Sequence, residues 1–246
     1  MPKFFVPSAD VVGSDIYIRG DDARHIALSL RMAVGETIQI CDFSQSEYVC
    51  SLSQIKSDLV VAHIIETFKC QSEPPSKIIL YQALPKGDKM DTIVQKSVEC
   101  GVCRIVPFLS ERCISRPDEK SMEKKLTRWQ KISKEAAMQC GRGVIPELSP
   151  LITFDKMLCE DDTDSALKLF CYEGDGTLPL TKVLEKYDSP PDVIKIIIGG
   201  EGGFSRLEAE KAVSSGFIPC GLGKRILRCE TAAPFTLACL AYKFEI

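Results

Sequence analysis

The stretch Lys195-Ile196-Ile197-Ile198-Gly199-Gly200-Glu201-Gly202-Gly203-Phe204-Ser205 decides the reading of this chain. A continuous run of β-branched apolar residues predicts a strand buried on both faces. Ser205 with Glu208 three residues on is the spacing of a capping box, so the glycines are followed by a helix over 205–214. Strand, glycine-rich turn and helix together are the unit of a parallel sheet, in which ligands bind beyond the strand C-terminal ends. The turn does not read as a phosphate loop. No Gly-Lys-Ser/Thr follows. The GxGxxG pattern fails because the sixth position from Gly200 is Ser205, and Glu201 would repel a phosphate. Four glycines around one carboxylate instead suit close backbone approach to a ligand that tolerates negative charge, such as a cationic sulfonium.

The same unit recurs outward from this stretch. Strands are expected at 78–83, 103–109, 166–172, 193–198 and 217–222, and helices at 88–100, 121–140, 178–187, 205–214 and 230–244. This alternation predicts an α/β domain on a parallel sheet. A second glycine-bracketed strand end, Gly221-Leu222-Gly223-Lys224-Arg225-Ile226-Leu227-Arg228-Cys229-Glu230-Thr231, leads into the last helix. It gathers Arg225, Arg228 and Glu230 at one turn. Thr231 is its expected cap, with Pro234 in the first turn. A third, weaker polar loop is Tyr172-Glu173-Gly174-Asp175-Gly176.

Upstream, Pro74-Pro75 marks a boundary, because paired prolines stop helices and stiffen a connection. Residues 1–72 then form a small, mainly β domain, a barrel by its strand spacing, and 76–246 the α/β domain. Expected strands there are 15–19, 37–42, 47–55 and 59–68. One helix is expected over 21–31, capped by Asp21 or Asp22, with His25, Leu28 and Met32 near one face.

Composition bounds the function. The 246 residues carry 31 Lys+Arg against 34 Asp+Glu, and 45% are hydrophobic, which excludes a disordered or collagen-like chain. No apolar run is long enough to span a bilayer, and the first residues lack a signal-peptide core. A cytoplasmic protein with no membrane partner is expected. Residues 86–142 hold 13 basic and eight acidic groups, either a solvated face or a phosphate-binding surface. The 12 cysteines read as reduced, buried hydrophobes, and Cys100-Gly-Val-Cys103 lacks the second pair that zinc would need. The two histidines lack metal-ligand spacing, so no metal is expected.

Taken together, these residues resemble the bacterial 16S rRNA uridine-N3 methyltransferases, the RsmE family of the SPOUT superfamily. The resemblance runs over nearly the whole chain: Pro2 to Val6; His25, Leu30-Arg31 and Gly35; Lys86, Asp91, Lys96 and Glu99 to Val102; Pro107 and Ser110-Glu111-Arg112; Glu135-Ala136 and Gln139 to Arg142. The most specific motifs are Ile198-Gly199 with Glu201 to Ser205, and Leu222-Gly223 with Arg225 to Arg228 and Glu230 to Ala232. Lys3 stands where an arginine is usual, and Gly200 and Lys224 replace usual prolines.

The resemblance implies a PUA-like β-barrel followed by an α/β domain with a C-terminal trefoil knot, acting as a homodimer on 16S rRNA of the 30S subunit. S-adenosylmethionine would be held by Tyr172, Glu173, Ile198, Gly199, Gly200, Gly203, Leu222, Gly223, Ile226, Leu227 and Arg228. Arg228, Glu201 and Glu230 would carry the chemistry. Lys3, Arg24, Arg31, Lys86, Arg112, Arg116 and Arg142 would contact RNA. Three rival readings are a non-catalytic RNA-binding relative, a related methyltransferase of another RNA, and a thiol oxidoreductase on Cys100 and Cys103.

Overall fold

The computed structural model describes residues 1–42, 46–160 and 165–246. The chain forms two units, one of residues 1–73 with 137–145 and one of 74–136 with 146–246.

In the first unit six strands are described: β1 (Lys3–Val6), β2 (Val11–Val12), β3 (Asp15–Arg19), β4 (Thr37–Asp42), β5 (Ser46–Ile55) and β6 (Leu59–Lys69). Their order is β1-β4-β5-β6-β3-β2, with β1 parallel to β4 and the other pairs antiparallel. Alternation along the strands sends Ile16, Ile18, Ile38, Ile40, Cys50, Leu52, Val60 and Ala62 into one core with Phe4 and Val6. Two register shifts in β5 add the local bend that lets the sheet curl over that core. Among the described residues no ladder joins β1 to β2, so the expected barrel is a curled sheet with two edges.

The helix expected over 21–31 is a single turn, α1 (Gly20–Arg24), running into a π-helical turn at His25–Ser29. Asp21 and Asp22 lie inside its first turn and do not cap it. Ala23 and Ile26 are fully buried, whereas Leu28 is exposed. The wider turn therefore presents a different face from the one that regular helical spacing gives.

The second unit contains β7 (Lys77–Ala83), β8 (Arg104–Leu109), β9 (Glu147–Leu148), β10 (Ile152–Thr153), β11 (Leu167–Cys171), β12 (Leu178–Pro179), β13 (Val193–Ile198) and β14 (Ile218–Gly221). Their order is β10-β8-β7-β13-β11-β14-β12, with β9 beside β8, and every pairing is parallel. The helices are α2 (Lys89–Glu99), α3 (Glu119–Cys140, of which 137–140 belong to the first unit), α4 (Phe154–Leu158), α5 (Leu180–Leu184), α6 (Arg206–Ser214) and α7 (Cys229–Phe244). Because β13, β11 and β14 are parallel neighbours, the loops after Ile198, Cys171 and Gly221 emerge on one edge of the sheet.

Three expectations are corrected here. The helix expected at 178–187 begins as the short strand β12, and only Leu180–Leu184 is helical. The last helix starts at Cys229 with Arg228 as its N-cap, so Thr231 is inside the helix and Pro234 lies past the first turn. Residues 137–145, assigned by sequence to the α/β domain, belong to the first unit. Polar contacts hold them there: the Lys3 ammonium donates to the Gly141 carbonyl at 2.8 Å, and the Cys41 thiol to the Gly143 carbonyl at 3.0 Å.

Candidate functional site

The three strand-end loops wall a cavity of about 970 Å³, a volume suited to a cofactor-sized ligand. Tyr172 and Glu173 come from the first loop, Ile198 to Phe204 from the glycine loop, and Gly221 to Cys229 from the third. The structure thus brings together every residue expected to hold the cofactor, together with Glu201 and Arg228. Lys89, Arg112, Thr177, Cys171 and Cys220 also line the cavity.

Local packing explains why the glycine loop has this shape. Phe204 is buried against Phe108, Phe154 and Phe170, with ring centroids 6.4, 6.0 and 4.8 Å away, and so pins the end of the loop to the sheet. A Cβ on Gly199 would lie 2.9 Å from the Phe204 ring. One on Gly202 would lie 2.9 Å from the Arg112 Cβ and 3.1 Å from the Arg112 carbonyl, while Gly203 has φ +60°. Gly199, Gly202 and Gly203 are therefore required by the protein's own packing and turn geometry. That corrects the reading of four glycines as room for a ligand alone. At Gly200 φ is not positive and the nearest neighbour is 3.8 Å away, so Gly200 is the loop position where neither requirement applies.

The Ser110-Glu111-Arg112 stretch is tied to the same loop. The capping box is formed: Ser205 Oγ accepts from the Glu208 N–H, and the Glu208 carboxylate accepts from the Ser205 N–H. Glu208 is buried, and its other oxygen accepts from the Glu111 N–H at 2.8 Å. Arg112 follows and donates to the Gly202 carbonyl at 3.1 Å.

A charged cluster stands at the cavity. Glu201 accepts from the Lys86 backbone N–H at 3.2 Å and from Lys89 Nζ at 2.7 Å. Lys89 Nζ is also 3.7 Å from Glu230 Oε2, and Arg228 Nη1 is 4.0 Å from Glu230 Oε1. Burial acts to raise the Glu201 carboxyl, but Lys89 and the backbone N–H donors outweigh it and hold it below the ordinary carboxylate range. Glu230 is likewise held low: its own backbone N–H, the Cys229 thiol, Lys89 and Arg228 overcome the effect of burial. The Glu201 hydrogen bond raises Lys89. Burial, reinforced by Glu230, pushes the Cys229 thiol up to about 12, so it stays protonated.

Sequence reasoning missed Lys89. It occupies the first position of α2, where the helix dipole disfavours a cation, and that mismatch was the signal.

The arginines and lysines expected to touch RNA divide. Arg24, Arg31, Lys86, Arg112 and Arg116 are exposed. Lys3 and Arg142 are not. Lys3 is buried and pairs with Glu47 at 2.7 Å, and Arg142 is buried and pairs with Glu73 at 2.6 Å. Both charges are spent inside the first unit, which corrects the expectation that they face phosphates.

None of the twelve cysteines is paired in a disulfide, and Cys100 and Cys103 are both half-buried. No helix among the described residues is long and apolar enough to cross a membrane.

Residues 72–241 match an RNA methyltransferase domain family, and residues 18–65 an RNA methyltransferase PUA domain family. The chain is 33% identical over 233 residues to the ribosomal RNA small subunit methyltransferase E of Bacillus subtilis, covering 93% of this chain and 90% of that protein. To the protein of the same name from Buchnera aphidicola (pea-aphid strain APS) it is 30% identical, covering 99% and 94%. The crystal structure of ribosomal RNA small subunit methyltransferase E from Neisseria gonorrhoeae bound to S-adenosyl methionine superposes with a TM-score of 0.88. That pair is 32% identical, with 99% of this chain and 98% of that chain covered.

Proposed function

The chain belongs to the ribosomal RNA small subunit methyltransferase E family, and on that premise we propose that it transfers a methyl group from S-adenosylmethionine to N3 of a uridine in 16S rRNA. The observation that carries the reading is the cavity at three adjacent parallel strand ends, lined by Glu201 and Arg228, with Glu230 4.0 Å from Arg228 but outside the lining. The residues fit the cofactor. Ile198, Leu222, Ile226 and Leu227 give apolar wall, the loop backbone gives donors and acceptors, and nearby carboxylates suit a cation. When bound, the cofactor supplies an electrophilic methyl group.

The chain's own residues then have defined tasks. Uridine N3 carries a proton and normally faces its pairing partner, so the base must be unpaired or flipped out to enter. Arg228 is largely exposed at the cavity and stabilises the charge left on the base as the N3 proton departs. Glu230, 22% exposed and 4.0 Å from Arg228, orients that guanidinium. Glu201, held by Lys86 of the loop before α2 and by Lys89 at the start of that helix, orients the glycine loop. Arg24, Arg31, Lys86, Arg112 and Arg116 supply cations for RNA phosphates. The family resemblance also carries a trefoil knot over the last strands and helix, a homodimer, and the cytoplasmic 30S subunit as substrate.

The test is transfer of labelled methyl from S-adenosylmethionine to 30S subunits lacking the modification, followed by mass mapping. N3-methyluridine at one small-subunit site is the expected result. Label appearing only in another RNA would move the substrate assignment, and absence of both binding and transfer would overturn the reading.

A further inference from the structure

We infer that Lys89 is a positioning residue of this site: it clamps Glu201 as the anchor of the glycine loop. The inference rests on the methyltransferase reading above for what the loop binds, but its structural half stands on the ion pair alone.

The geometry is unequal. Lys89 Nζ lies 2.7 Å from Glu201 Oε1, within hydrogen-bond range, and 3.7 Å from Glu230 Oε2, outside it. Glu201 also takes the Lys86 N–H on both oxygens, at 3.2 and 3.4 Å. The Glu201 carboxylate is thus clamped from the loop that leads into α2 and from the first residue of that helix. A carboxylate committed to these donors is a poor proton acceptor. Its use is mechanical: it ties the turn at Gly200–Gly203 to the start of α2, which itself packs on α7. The charged and titratable groups that act on the ammonium are Glu201 of the glycine loop and Cys229 and Glu230 at the start of α7. Glu230, the second carboxylate within 4 Å of the ammonium, accepts from the Cys229 thiol at 3.2 Å and stands 4.0 Å from Arg228.

A cation at the first position of a helix opposes the helix dipole. Lys89 is kept there against that preference by the two glutamates.

The experiment uses the full-length chain as Lys89→Met, Lys89→Arg, Glu201→Gln and the Lys89→Met/Glu201→Gln double variant. Two quantities are read: S-adenosylmethionine affinity by calorimetry, and amide hydrogen exchange of residues 200–203 without cofactor. The pair is partly exposed, so losing a charge-assisted hydrogen bond there is expected to weaken cofactor binding about five- to tenfold. Exchange at 200–203 should rise in parallel. Glu201→Gln should match Lys89→Met, and the double variant should be no worse than the poorer single one, because both remove one interaction. Lys89→Arg should restore most of the affinity.

Fully additive losses, or a Lys89→Met variant with unchanged exchange and affinity, would overturn the inference. If the parent chain binds no cofactor yet exchange still responds to Lys89→Met, the clamp stands and the functional reading fails.

Discussion

Arg142 and Glu73 give the sharpest test of how charge is used in this protein. Sequence alone offers Arg142 to RNA; the structure buries its side chain to 3% exposure and Glu73 to 14%. Arg142 Nη2 lies 2.6 Å and Nε 3.3 Å from the two Glu73 oxygens. Glu73 Oε1 also accepts from the backbone N–H of Gly143 at 2.8 Å and of Val144 at 3.2 Å. Removing the acid and removing the base are therefore not equivalent. Glu73→Ala takes a carboxylate from a buried guanidinium and strips two backbone N–H groups of their acceptor. Each orphaned N–H costs about 1 kcal/mol or more, and breaking a buried pair costs roughly 3–5 kcal/mol in all. Arg142→Met leaves the carboxylate with both backbone donors and fills the space with apolar atoms. Its expected cost is about 1–2 kcal/mol. With a urea dependence near 2 kcal/mol per molar, Glu73→Ala lowers the unfolding midpoint by roughly 1.5 M or more, and Arg142→Met by less than about 1 M. Urea unfolding followed by far-UV circular dichroism measures both, and a filter assay measures 30S binding of folded Arg142→Met, which should be unchanged. A variant with a normal midpoint but tenfold weaker 30S binding would refute the reasoning and return Arg142 to the RNA surface.

Other consequences follow from the cavity. Arg228→Ala should cut methyl transfer about a hundredfold while cofactor affinity by calorimetry changes only a few-fold; unchanged turnover would remove Arg228 from the mechanism. Gly202→Ala must move Arg112, whose Cβ is 2.9 Å from the added methyl, and should cost about 1–3 kcal/mol in thermal or urea unfolding. Gly200→Ala meets nothing closer than 3.8 Å and should be neutral or stabilising by up to about 1 kcal/mol, so equal costs at the two positions would contradict the packing argument. Because Glu201 is held below its ordinary value of 4.5, its contribution to stability is present above that value and lost as pH falls through the lower folded one. The stability gap between the parent chain and Glu201→Gln should therefore be open at pH 7 and narrow as the pH falls below 4.5, and a gap of unchanged size across that acid range would sink the assignment.

The elements most legible in the sequence are those whose signal is local. Ile196 to Ile198 and the Ser205–Glu208 box declare a buried strand and a helix start without reference to anything distant, and both stand as read. The parallel sheet follows from their repetition. What failed depends on neighbours. Leu178-Pro179 has helical surroundings but pairs with β14, and ladder bonds to Cys220 and Gly221 are not visible from residue 178. The short strand β1 went unread because Lys3 to Val6 is made a strand by pairing to β4, more than thirty residues away.

The site divides along the same line. Glycine-rich strand ends are local signals, and they mark the cavity walls correctly. The role of a charged side chain is not local. Lys3 and Arg142 lie in family motifs and look like surface cations, yet each finds a carboxylate far away in sequence, Glu47 for one and Glu73 for the other. Lys89 drew no notice, yet it meets Glu201, 112 residues away, and stands beside Glu230. A cation's solvation cost and its partner together decide whether it binds phosphate, braces a loop or holds a core. Composition supplies the number of such cations, and only the fold supplies the partner. The useful sequence signal is therefore the cation in an unfavourable place, such as the first position of α2, because something across the fold must compensate for it.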